Sequence, residues 1–175
     1  MPELRKYSWD ALELKKYNQK VPAEKQCPMY SKNFSKQEMR YSTTAFKNNI
    51  DNYPPAYADK NLAKLCKNIL QPIRDKWGKP LIVSSGYRSI KLNNFIGGSK
   101  TSQHTKGEAA DILPSLPEDY DKLKNLVLQM IENKEITVGQ FLIESKTNTN
   151  KRTTRWLHIS LPTDKHLNDI KVINN

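Results

Sequence analysis

The sequence predicts an α+β fold: a few helices packed on a small, largely antiparallel sheet that carries a side-chain cluster on one face. Three observations predict it. Leu62, Leu65, Ile69, Ile73 and Trp77 recur at spacings of three and four, the period of a helix with one buried stripe. Apolar residues alternate along 139–145 and 156–161, the period of paired strands. The third is a short stretch of small residues with His104 and Asp111 at its ends, followed by His158 in a strand-like run. Imidazole and carboxylate together are a zinc-binding donor set, which predicts a zinc site on the sheet face.

Taken in order, residues 1–32 read as an N-terminal extension, partly helical, with Trp9, Leu12, Leu14 and Tyr17 on a helix that Pro22 ends. Residues 33–175 read as a single domain. Ser35 followed by Glu38 is a capping-box pair, and Phe34 can staple the start of a short helix over 36–41. Pro54 and Pro55 open the helix of 53–78, Pro72 kinks it and Gly78 stops it. The run Pro80 to Ser84 is a buried strand leading into Ser85-Gly86-Tyr87-Arg88-Ser89, and 89–95 form a turn of helix before a Gly97-Gly98 loop. Residues 109–113 form a strand and 117–133 a second clear helix, with Tyr120, Leu123, Val127, Met130 and Ile131 on one side. The strands 139–145 and 156–161 are joined by a polar loop, 146–155, and a last strand or loose tail covers 167–173.

Composition narrows the partners. The net charge is +11 and the pI about 9.6, which favours an anionic partner. Nucleic acid and anionic cell-wall polymers both qualify, but no nucleic-acid-binding motif or helix-turn-helix pattern is present. Mean hydropathy is -0.77, and nothing approaches the ~20 apolar residues of a membrane span. The amino terminus is charged and carries no secretory signal pattern, so the chain is expected to be made in the cytoplasm. Two cysteines, Cys27 and Cys66, build neither a disulfide framework nor a cysteine zinc site, and Cys66 falls on a helix's apolar side.

Strand parity tests the site, because alternate side chains point to opposite faces. Gln140, Leu142, Glu144, Trp156, His158 and Ser160 share one face of the last hairpin. A turn centred near 150 or 151 places Glu144 directly or diagonally across from His158. Zinc in a catalytic site takes three protein ligands and keeps one position open. Glu144 can then accept a proton from water, and Arg88 can steady an oxyanion.

The motifs Ser85-Gly86-Tyr87-Arg88-Ser89, Ser102-x-His104-x-x-Gly107-x-Ala109-x-Asp111 and Trp156-x-His158-Ile159-Ser160 follow in that order. Together they resemble the zinc D-alanyl-D-alanine carboxypeptidase family, which includes phage peptidoglycan-cleaving endolysins. Phe34 to Glu38, with Ser42, Thr43, Ala45, Ile50, Asn52 and Pro54 after it, is similar to the segment before that core, so the resemblance covers about 33 to 161. It implies one Zn2+ held by His104, Asp111 and His158, with Arg88 on the scissile carbonyl and Ser102 and Tyr87 on the substrate. It also implies hydrolysis of peptidoglycan stem peptides at a D-alanine-containing bond, by carboxypeptidase or endopeptidase action, at the bacterial cell wall, with phage-assisted release as one route there; a monomer is expected. Several relatives carry their catalytic acid three residues before the last histidine, where this chain has Arg155, so Glu144 takes that part here. An arginine cannot act as a base at neutral pH. The alternatives are an inactive wall-binding module that keeps a structural zinc, and a non-haem iron oxygenase. The latter spaces its first two ligands as His-x-Asp, whereas here they are seven apart.

Overall fold

The computed structural model describes residues 28–147, 149–151 and 153–174. The helix expected before Pro22, Cys27 and most of the 1–32 extension lie outside the described residues. One five-stranded sheet runs in the order β1-β2-β4-β3-β5, with β1 Leu81–Ser85, β2 Ala109–Pro114, β3 Gln140–Thr147, β4 Thr153–Ser160 and β5 Asp169–Asn174. Three pairings are antiparallel, as the α+β reading expects, and β5 runs parallel to β3. The parallel edge has a simple cause. β4 ends beside the start of β3, so a chain that turns there and adds to the free edge of β3 must run with it. Hydrogen bonds from Asn168 N to Val138 O (2.7 Å) and Asp169 N to Gly139 O (2.9 Å) dock that turn.

The helical elements are α1 Thr43–Lys47, α2 Ala56–Leu65, α3 Gln71–Trp77, α4 Ile90–Phe95 and α5 Tyr120–Glu132. The long pattern of 53–78 is α2 and α3 joined through a π-helical turn, Cys66–Leu70. The kink expected at Pro72 takes this form because proline has no N–H and its ring crowds the carbonyl four residues back, which a wider turn accommodates. Gly78, at φ 73°, ends α3. Ser35 Oγ accepts from Glu38 N at 3.0 Å, as the capping box predicts, but the turn it starts is a short 3-10 helix, Glu38–Arg40.

Alternation along the strands then sorts the faces. Ala110, Ile112, Phe141, Leu157 and Ile159 point to one side and pack with Leu62, Leu65, Ile69, Ile73, Leu123 and Val127 of the helices in one core. Cys66 is buried in that core, as its place on the stripe predicts. Burying such a side chain contributes roughly 1.5–3 kcal/mol each, so this face fixes the sheet's orientation on the helices. The other face is left for Asp111, Leu142, Glu144 and His158. Among the described residues no helix is long and apolar enough to cross a membrane.

The hairpin differs from expectation at its tip. β3 and β4 stay paired out to Thr147 and Thr153, so half of the 146–155 segment read as a loop is ladder. Backbone pairing continues beyond the core because Thr147, Thr153 and Thr154 are β-branched, and exposed strand positions tolerate polar side chains.

Before the sheet, the 28–36 segment is held to α2 by Asp59, which accepts from Lys36 Nζ (2.8 Å) and the Tyr30 hydroxyl. Burial opposes ionisation of this carboxyl, yet the bonds from Lys36 and Tyr30 outweigh it and hold it below its ordinary range. A depressed carboxyl stabilises the fold above its unfolded pKa, and that contribution is lost as pH falls through the folded value. We therefore expect Asp59→Asn to cost under about 1 kcal/mol at pH 7, since the pair is partly exposed, and to flatten the loss of stability below about pH 4 in urea titrations.

Candidate metal centre

β2 and β4 are neighbours in register, with Asp111 directly opposite His158. His104 reaches the same point from the 3-10 turn Gln103–Lys106. His158 Nδ1 lies 2.9 Å from Asp111 Oδ1, His104 Nε2 lies 3.3 Å from the same oxygen, and the two ring nitrogens are 3.2 Å apart. All three residues are buried. The other nitrogen of each ring is engaged. His104 Nδ1 lies 2.7 Å from Gly86 O, and His158 Nε2 lies 3.3 Å from Gln103 Oε1. Those oxygens only accept, so with an ion on the inner nitrogens each ring would keep its proton on the outer one.

Arg88 closes the other side. Its Nη2 donates to Asp111 Oδ2 at 2.9 Å and its Nε to Ser85 Oγ at 2.8 Å. Burial opposes the charge of Asp111, but the two imidazoles outweigh it and hold the carboxyl well below the usual carboxylate range. Burial pushes the His104 imidazole the other way, toward its neutral form. The site therefore presents two imidazole nitrogens and one carboxylate oxygen, all mutually within 4.8 Å, which is the donor chemistry that suits a single zinc ion.

Glu144 stands on the same face as His158. It pairs with Trp156, while Leu142 pairs with His158, so Glu144 is the diagonal neighbour of the two arrangements parity allowed. Burial raises its carboxyl above the ordinary value, against the lowering effects of His158 and of a hydrogen bond from Trp156. Arg155 faces away. Three residues is an odd step along a strand, so its guanidinium lies on the helix side, 4.3 Å over the Tyr120 ring and 3.4 Å from Asp121.

The peptidase M15 family matches residues 32–160. The chain belongs to that family. A zinc D-Ala-D-Ala carboxypeptidase of Streptomyces albus G is 43% identical over 44 residues, which cover 25% of this M15 chain and 17% of that relative. The chain thus spans about a sixth of the curated relative it matches.

Within the M15 chain, Ser102 and Gln103 line a cavity of about 700 Å³ together with His158, Lys106, Glu108 and His166. Tyr87 is 5% exposed and packs in the core, with Tyr87 N donating to Met39 O at 2.7 Å. Asn52 is the clamp that motif reading left without a role. Its side chain bonds Arg40 O, Tyr87 O and Ser89 N, bracketing Arg88. Nothing in the sequence distinguished Gln103 or the Gly86 carbonyl, since a main-chain acceptor leaves no residue signature.

Gly107 ends the turn that carries His104. It sits at φ +69°, and a Cβ there would meet the Ala58 carbonyl. Both penalties fall on Gly107→Ala, so a loss of about 2–4 kcal/mol is expected in chemical denaturation. A loss within the ~1 kcal/mol of an ordinary helix-surface glycine would show that the close approach to α2 is not needed.

Proposed function

We propose that this chain is a zinc-dependent peptidase acting on peptidoglycan stem peptides, at a bond next to D-alanine. The observation that carries the reading is one sheet face on which His104, Asp111 and His158 converge while Glu144 stands across the strand pair. His104 Nε2, Asp111 Oδ1 and His158 Nδ1 would hold the ion. When bound, zinc supplies Lewis-acid activation of water and of the scissile carbonyl. Glu144 accepts the proton that the attacking water loses as its oxygen bonds to the carbonyl carbon, and passes that proton to the amine as the C–N bond breaks. Arg88 steadies the negative charge that develops on the carbonyl oxygen, from a position its bonds to Ser85 and Asp111 have set in advance. Ser102, on the cavity wall beside His158, holds the peptide. Tyr87 supports Arg88 by fixing the loop. Peptidoglycan peptides and other anionic wall polymers are the partners this reading assigns to a chain of charge +11 acting as a monomer at the cell wall.

Mass spectrometry of digested peptidoglycan, with and without chelator, tests this. Chelator-sensitive release of free D-alanine identifies a carboxypeptidase, and separated cross-links or stripped stem peptides an endopeptidase. Wall binding with no hydrolysis would replace the peptidase with an inactive binding module.

A further inference from the structure

We propose that Gln103 is a positioning residue for the metal centre: its side-chain carbonyl is placed to accept from His158 Nε2–H when Nδ1 holds the ion, and so fixes the orientation of the ring. The inference rests on the zinc reading above. It starts from an asymmetry between the two histidines. His104 turns Nε2 toward Asp111, whereas His158 turns Nδ1. Neutral imidazole has one protonated nitrogen and one lone pair, so each ring needs its proton on the opposite side.

The two rings meet this need by different means. His104 Nδ1–H points at Gly86 O, 2.7 Å away, and a main-chain carbonyl is present whatever side chain stands there. His158 Nε2 faces a side-chain acceptor, Gln103 Oε1 at 3.3 Å. Among the described residues that amide forms no other hydrogen bond, and its oxygen is the acceptor His158 Nε2 has. Its backbone is firmly placed. Gln103 O accepts from Glu108 N at 3.0 Å and also caps the turn through Gly107 N, so the residue cannot drift from His158 without opening the turn that carries His104. One turn thus supplies the first ligand directly and orients the third, 54 residues further along.

Supporting hydrogen bonds of this kind are worth about 10–100-fold in metal affinity. Gln103→Leu keeps the bulk and removes the acceptor; Gln103→Glu keeps an acceptor. Zinc affinity measured by competition with a chromophoric chelator is expected to fall about 10–100-fold in Q103L and to stay at or above wild type in Q103E. The zinc-free Q103L protein is expected to melt within about 4 °C of wild type, since a partly buried hydrogen bond is all that it loses. Nitrogen-15 NMR of the zinc-loaded wild type should show His158 bound through Nδ1 with its proton on Nε2, and zinc-loaded Q103L should show that Nε2–H exchanging faster with solvent. Equal zinc affinity in Q103L and wild type, or an unchanged Nε2–H exchange, would overturn the assignment. If wild type itself fails to bind zinc, the metal reading and this inference fall together, whereas zinc binding of equal affinity in Q103L removes the part played by Gln103 alone.

Discussion

Replacing Glu144 with glutamine is expected to lower kcat/KM for stem-peptide hydrolysis by about 10²–10⁴-fold while the protein keeps its zinc. Glutamine preserves the size and the Trp156 contact but has no basic oxygen to take a proton. In barrier terms the loss is about 2.7–5.5 kcal/mol, far above what a single displaced hydrogen bond contributes. The placement argues for this size of effect. Glu144 faces the ligands across one strand pairing, is half-buried, and has a carboxyl that burial has made more basic. Arg155, the alternative position by family pattern, is stacked on Tyr120 on the opposite face. Arg155→Ala is therefore expected to alter stability by no more than about 1 kcal/mol and to leave turnover within a few-fold. An E144Q enzyme with wild-type turnover would remove Glu144 from the mechanism.

Replacing His104 with alanine should do something different. Zinc affinity should fall by more than the 10–100-fold that loss of a supporting bond costs, and hydrolysis should disappear with the metal. The zinc-free fold should also weaken, because the Gly86 carbonyl loses its imidazole donor in a buried place, at a cost of about 1–3 kcal/mol. His158→Ala shares the first effect with a smaller second one, since Gln103 lines an open cavity where water can replace the ring. Titration calorimetry with zinc and urea denaturation of the zinc-free variants separate the two contributions. Wild-type zinc affinity in H104A would show that the ion is held elsewhere.

Much of this site was legible because strand parity is local. With a period of two, His158 and Glu144 had to share a face once their strands paired, and the apolar set Phe141, Ile143, Leu157, Ile159 had to take the other. The family motifs then named His104 and Asp111. Parity could not choose between direct and diagonal pairing, because one residue in the turn decides the register. Nor could it show that β2 lies beside β4, which is what brings Asp111 opposite His158 across 47 residues of chain. Pairing at that range depends on which edge the whole chain leaves free. The same holds for β5, whose direction follows from where β4 ends, and for Gly86, Gln103 and Asn52, whose parts depend on packing rather than residue pattern. The helix stripe was plain, but the π-turn before Pro72 was not, since a kink can be absorbed in several ways.

The central claim is that His104, Asp111 and His158 hold one zinc ion that the reaction needs. Its most direct test is the metal content of protein purified without added metal, followed by chelation and stepwise return of zinc during hydrolysis of a stem peptide. The account predicts about one zinc per chain, activity lost on chelation and restored in proportion to zinc up to one equivalent, and neither metal nor activity in H104A. Iron in place of zinc, or full hydrolysis by the metal-free protein, would contradict it.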